Sequence, residues 1–151
     1  NELKAQNIEV TRMMTSPTIF NNILWSCTAE ANDAYYVGLY SFYDTVPVKF
    51  SKIEKQHKLI QNIDSDHTIT SLRWFSDNYF CIENVEGKLL FNDLRFGAYL
   101  DKNGENTDYI FSFLLEEEDG KYEMVETIMG PPKDLRQEYI DNFFARIWGL
   151  D

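Results

Sequence analysis

An Asp and an Arg two residues apart in an apolar run are the residues of this chain best placed to do chemistry. They stand in Leu89-Leu90-Phe91-Asn92-Asp93-Leu94-Arg95-Phe96-Gly97. Read as a strand, this run alternates, with Phe91, Asp93 and Arg95 on one face and Leu90, Asn92, Leu94 and Phe96 on the other. Charges in so apolar a strand are costly to bury unless they are paired. Either the two groups pair with each other or a neighbour, or they meet a ligand. In the second case Arg95 would hold an anionic group by a forked hydrogen bond and Asp93 would orient it.

Other chemistry is thinly supplied. A hydrolytic or metal site needs clustered His, Cys or carboxylates, and the chain has two histidines. The segment from Gln56-His57 through Asp64-Ser65-Asp66-His67 brings imidazoles and carboxylates near in sequence, but its spacing matches no ligand motif, so no metal site is expected. The polar stretch Asp101 to Asp108 resembles a calcium loop only superficially. Its Gly104 comes too early, and Ser112 stands where a bidentate Glu is required. Ser41, in Tyr40-Ser41-Phe42, lacks a strained glycine elbow. No phosphate-binding glycine loop is present. Cys27 and Cys81 lie among apolar neighbours in predicted strands. Two buried thiols are expected, with a disulfide as the alternative; no zinc spacing is seen.

Lys49, Lys52, Lys55 and Lys58 recur every three residues. They are either scattered surface lysines or a basic stripe suited to anionic lipid headgroups, where each lysine is worth about 1 kcal/mol. Trp25, Tyr36, Tyr40, Phe42, Trp74 and Phe91 could line a groove, although aromatic residues more commonly fill a core. Glu116-Glu117-Glu118-Asp119 reads as a solvated hairpin tip that discourages edge pairing.

The elements that must hold these residues follow from pattern. The length of 151 residues suits one domain spanning 1–151, and 44% hydrophobic content with 15% aromatics suffices for a packed core. The net charge of −11 disfavours nucleic-acid binding and favours solubility. No apolar run approaches the ~18 residues of a membrane span, and no signal peptide is visible. The chain starts at Asn1 without Met and is read as a fragment, with any membrane segment upstream.

Residues 1–6 suit the end of a helix and 8–14 a first strand. The strands 24–30 and 35–42 form a hairpin around Ala31-Asn32-Asp33-Ala34. A strand over 48–53 follows. Leu59, Ile60 and Ile63 mark one short helix. Asp66 caps a second, which presents Ile69, Leu72 and Phe75 and stops at Asp77-Asn78. Strands 79–85 and 88–96 join at Glu86-Gly87, and strands 109–116 and 122–129 join at Glu118-Asp119-Gly120. Gly130-Pro131-Pro132 breaks the sheet before a helix over 133–148. That helix carries the apolar stripe Leu135, Tyr139, Ile140, Phe143, Phe144 and Ile147. The expectation is α+β: a mainly antiparallel, curved sheet built from hairpins, two short central helices, and a C-terminal amphipathic helix packed on the sheet.

Three motifs occur in order: Ser16-Pro17-Thr18 with Asn22-Ile23-Leu24-Trp25, then Tyr36-Val37-Gly38-Leu39-Tyr40-Ser41, then Asp93-Leu94-Arg95-Phe96-Gly97. Over roughly residues 8 to 115 their order and spacing resemble the C-terminal region of membrane-bound, metal-dependent hydrolases of the YdjM type, also described as LexA-binding inner-membrane hydrolases. In that family a bundle of membrane helices comes first and carries the His-containing motifs behind the hydrolase name, and those motifs are absent here. The resemblance implies a soluble C-terminal domain, inactive alone, at the cytoplasmic face of the inner membrane. It would shape substrate access or regulate the membrane part, and any divalent metal would lie upstream. It singles out Asn22, Trp25, Tyr40, Ser41, Asp93 and Arg95. The implied partner is the upstream membrane segment of the same chain. A protein partner docked by the sheet face or last helix, or an anionic lipid surface, is the alternative.

Overall fold

A computed structural model of the chain describes residues 2–5, 7–18, 21–101, 103–131 and 133–150, without the side chains of residues 2, 5 and 107. Two antiparallel four-stranded sheets carry most of it. Sheet 1 contains β1 (Arg12–Pro17), β2 (Leu24–Glu30), β3 (Ala34–Ser41) and β4 (Phe50–Glu54), paired in that order. Sheet 2 contains β5 (Phe80–Val85), β6 (Lys88–Leu100), β7 (Asn106–Glu118) and β8 (Lys121–Met129), again in order. A short α1 (Glu2–Ala5) precedes β1; the expected helix ends at Asn1 and Gln6 lie outside the described residues. So do Lys102 of the polar loop and Pro132 of the expected break.

The antiparallel α+β architecture is as the pattern predicts, and the tight turns show why. Glu86 and Gly87 both adopt positive φ, as do Asp119 and Gly120. Positive φ at both central positions is the mirror-image turn whose twist suits a two-residue hairpin. The strands divide into two sheets because the connection from β4 to β5 is no hairpin. It holds a 3-10 helix (His57–Ile63) and α2 (His67–Phe75). Asp66 caps α2, accepting from the amides of Thr68 and Ile69, while its other oxygen accepts from Tyr122 N on β8 at 3.0 Å. One carboxylate thus starts the helix and ties it to sheet 2.

The result is three layers. Ile60, Ile69 and Leu72 from the helical layer pack on Phe80, Ile82, Phe91, Phe113 and Leu115 of sheet 2. The opposite face of sheet 2 packs Cys81, Leu94, Ala98 and Tyr109 against Tyr35, Val37 and Ile53 of sheet 1. Coverage on both faces explains why Phe91, Asn92, Asp93 and Leu94 are consecutively buried, each at 0% exposure. Strict inside–outside alternation needs a strand that is wet on one side. Both cysteines are free, and burial pushes the Cys81 thiol up to about 12.

The last helix, α3 (Arg136–Ile147), meets sheet 1 at the end of β3 through its final turn. Ile147 is buried there, and Ser41 Oγ donates to its carbonyl at 2.6 Å. Arg146 forks onto Asp44 at 2.7 and 2.9 Å and also donates to Leu39 O at 3.0 Å. The Tyr139 ring lies 4.9 Å from that of Tyr99 on β6, and Trp148 lies 5.6 Å from Tyr43. Leu135, Ile140 and Phe144 remain exposed, so much of the apolar stripe faces away from the core.

Candidate functional site

The Asp93–Arg95 segment owes its shape to a break in the β6–β7 ladder. Asp93 pairs with Phe111, but the next pair is Ala98 with Tyr109, so Leu94 to Gly97 stand opposite Ile110 alone. A bulge of this kind bends the strand and re-aims its side chains. Leu94 drops between the sheets, where its amide donates to Tyr79 O and its carbonyl accepts from Thr28 Oγ1 of β2 at 3.0 Å. Gly97 takes φ +82°, and a Cβ there would stand 2.5 Å from Ser26 Oγ. Only glycine fits that backbone and that gap.

Within the bulge Arg95 folds back on Asp93. Its amide and Nε donate to Asp93 Oδ1 at 3.0 and 3.1 Å, and Nη2 donates to Oδ2 at 2.7 Å. The guanidinium carbon lies 4.6 Å from the centre of the Phe75 ring and 5.4 Å from that of Phe96. Phe96 packs on Phe111 at 5.0 Å, and Phe111 pairs across the ladder with Met129. Phe75, Phe96 and Met129 are all exposed. The pair is therefore a buried carboxylate plugged by a guanidinium side chain that is 23% exposed, within an aromatic frame. Its charge is internally balanced, and the arrangement suits recognition of an apolar surface better than activation of water.

The remaining singled-out residues lie elsewhere. Leu24, Ser26 and Thr28 face sheet 2, so alternation turns Trp25 to the outer face of sheet 1, beside its cross-strand partner Tyr40. Trp25 Nε1 donates to the carbonyl of the exposed Asn22 at 3.0 Å, and Tyr40 meets Phe42 edge-on at 5.9 Å. Ser41 points inward to α3. Asp93 and Arg95 face the helical layer, so they and the Trp25–Tyr40 pair lie on opposite sides of the molecule. The fold brings together Asp93 with Arg95, and Asn22, Trp25 and Tyr40, as two separate groups.

The lysine series also divides. Lys52 bonds to Glu54 beside it. Lys55 is largely buried, bonds to Glu30 at 2.7 Å and lies 5.2 Å from the Tyr35 ring centre. Lys49 and Lys58 are exposed. The Lys55 contact belongs to a charged cluster that the sequence pattern did not suggest. Arg12 on β1 pairs with Glu30 on β2 and lies over the Tyr79 ring at 3.8 Å. Burial drives the Glu30 carboxyl upward, but hydrogen bonds from Lys55 and Arg12 outweigh it and hold the group below its ordinary range.

His57 is structural in its contacts. Its Nε2 donates to Phe80 O at 2.9 Å and its ring stacks on Phe80 at 4.2 Å. Burial lowers its pKa against the opposing pull of that carbonyl. Among the described residues no three His, Cys, Asp or Glu side chains gather as a metal site. Depressions formed by the described residues include one of about 620 Å³ beside β4 and one of about 400 Å³ beside His57 and Arg73. The residues missed from sequence are Phe75, Phe111 and Met129 around Arg95; a glycine inside an apolar strand was the available signal of the bulge that gathers them. Comparison with protein-family models, curated proteins and solved structures yields no match.

Proposed function

We propose that this chain is a non-catalytic domain of a membrane-bound, metal-dependent hydrolase of the YdjM type, standing at the cytoplasmic face of the inner membrane. In this reading it shapes substrate access or regulates the membrane part, which holds the divalent metal. The supporting observation is the packing of the third motif on β2 and β3, the strands that carry the end of the first motif and the second. Gly97 of the third abuts Ser26, next to Trp25 of the first, and a Cβ on Gly97 would also reach Val37 of the second at 3.9 Å. Gly97 thus sits where β6 packs on β2 and β3, and a shared order of motifs is what a shared sheet junction would leave in a sequence. The test is hydrolase activity of the longer protein with and without this domain. Altered turnover or substrate range is expected, and unchanged activity refutes the reading.

A second reading, a docking module for a protein partner, draws on a different observation. Met124, Val125 and Met129 on β8 and Ile140 and Phe144 on α3 are exposed. Large exposed apolar surface marks interaction sites. A partner retained by the isolated domain and lost with Ile140→Ser and Phe144→Ser together would favour docking; retention by the double variant would count against it.

A further inference from the structure

The four sheet edges are not alike. β1 ends in Pro17, which cannot donate. The β5 edge is engaged, because Ile82 N donates to Lys55 O and His57 donates to Phe80 O. β8 is broken by a register shift opposite Leu114/Leu115. β4, the last strand of sheet 1, has neither Pro nor register shift. Its polarity can be worked out. Lys55 N donates to Asp33 O, so that pair is hydrogen-bonded to β3. Antiparallel ladders alternate, so Ile53 and Ser51 also bond to β3, while Phe50, Lys52 and Glu54 turn their N–H and C=O outward. Among the described residues none of these outward groups has a main-chain partner.

This edge borders the groove of about 620 Å³. One wall is β4 itself; the other is the turn around Asn103–Asn106, held in place by a bond from Asn106 N to Ser51 Oγ at 2.8 Å. Asn106 Oδ1 is a buried acceptor with no partner among the described residues. Glu83 also lines the groove, anchored by Tyr109 OH at 3.0 Å. Among the described residues that line the groove, Lys52 and Glu54 pair with each other, which leaves Glu83 and Glu105 against Lys49, in a chain of net charge −11.

We infer that the β4 edge and its groove receive an extended peptide carrying Lys or Arg, which adds to sheet 1 as a fifth strand. Main-chain bonds to Phe50, Lys52 and Glu54 would supply pairing, and a basic side chain directed at Glu83 and Glu105 would supply selectivity. This does not rest on the hydrolase reading. The strand has five residues, so a peptide of similar length spans it.

The test uses the isotope-labelled chain and three end-blocked octapeptides: alternating Val and Lys, alternating Val and Glu, and the Val–Lys peptide with alternate amides methylated. The Val–Lys probe should shift the amides of residues 50–54 and 103–106 and slow exchange at Phe50, Lys52 and Glu54. The Val–Glu probe should bind about tenfold more weakly, or less, and the methylated probe should not protect these amides, since its pairing edge is blocked. Glu83→Gln should weaken the Val–Lys probe while leaving the unbound spectrum otherwise intact. Responses centred on β8, equal protection by the methylated probe, or protection of the β4 amides by self-association of the chain alone would each overturn the inference.

Discussion

Replacing Arg95 with Ala strands a carboxylate that water does not reach. Asp93 is 0% exposed, and the substitution removes the Nε and Nη2 donors, leaving only the amide of residue 95 on Oδ1. Breaking a buried pair by removing one partner costs about 3–5 kcal/mol. Loss of the guanidinium from the Phe75 ring adds about 0.5–1 kcal/mol. Against a typical domain stability of about 5–15 kcal/mol, that is a large share. At this chain length each kcal/mol moves the midpoint by about 2–4 °C, so Tm should fall by about 7–24 °C. Urea unfolding followed by circular dichroism checks it, with the midpoint falling and the slope unchanged. The control is Asp93→Asn combined with Arg95→Ala. Removing the stranded charge should restore part of the loss, and the cycle isolates the coupling. A loss below about 1 kcal/mol for Arg95→Ala would refute the reasoning, because Asp93 would then have other support. A stable variant that loses binding of a small anion shown by the unaltered chain would instead point to a ligand at Arg95.

Gly97→Ala should cost about 1–3 kcal/mol from its positive φ alone, with more from the 2.5 Å approach to Ser26 Oγ. Ser26→Ala, which removes a buried hydroxyl with no partner among the described residues, should be near neutral in the same melts and should relieve part of the Gly97→Ala penalty. Arg146→Ala should free the end of α3 from Asp44 and Leu39, seen as a red shift of Trp148 fluorescence and faster proteolysis after Gly130. An unchanged spectrum and digestion pattern would mean that Ile147 and Ser41 hold the helix unaided. Burial lowers the His57 pKa on folding, so near and below its ordinary value of 6.5 the unfolded chain binds more protons than the folded one. This part of the stability is present above that pH and is lost as pH falls through the lowered folded value. His57→Asn should flatten the fall in Tm between about pH 7 and 5. Finally, the isolated chain with Zn²⁺ or Mn²⁺ should not turn over generic ester or phosphoester substrates. Turnover abolished by His57→Ala or His67→Ala would contradict the non-catalytic reading.

What the sequence determined by itself is what short-range physics controls. Glu86-Gly87 and Asp119-Gly120 could be read as hairpins because the turn is decided by the φ preferences of two residues. Asp66 could be read as a helix start because its cap is completed by amides two and three residues on. The contact between Asp93 and Arg95 was legible for the same reason: two residues apart, they need no third element to meet. The tertiary structure decided everything that depends on what covers a face. The pattern cannot say that a helical layer and sheet 1 take opposite faces of β6, so it could not distinguish one curved sheet from two stacked ones. The motif resemblance grouped Trp25 and Tyr40 with Arg95, although they stand on the far side of the other sheet. The bulge that aims Arg95 at Phe75 forms because Gly97 must pass Ser26, a contact between residues 71 positions apart. Exposure of the Ile140 and Phe144 side of α3 was equally invisible. An amphipathic stripe reveals that a helix has an apolar face, but not how much of that face the rest of the chain covers.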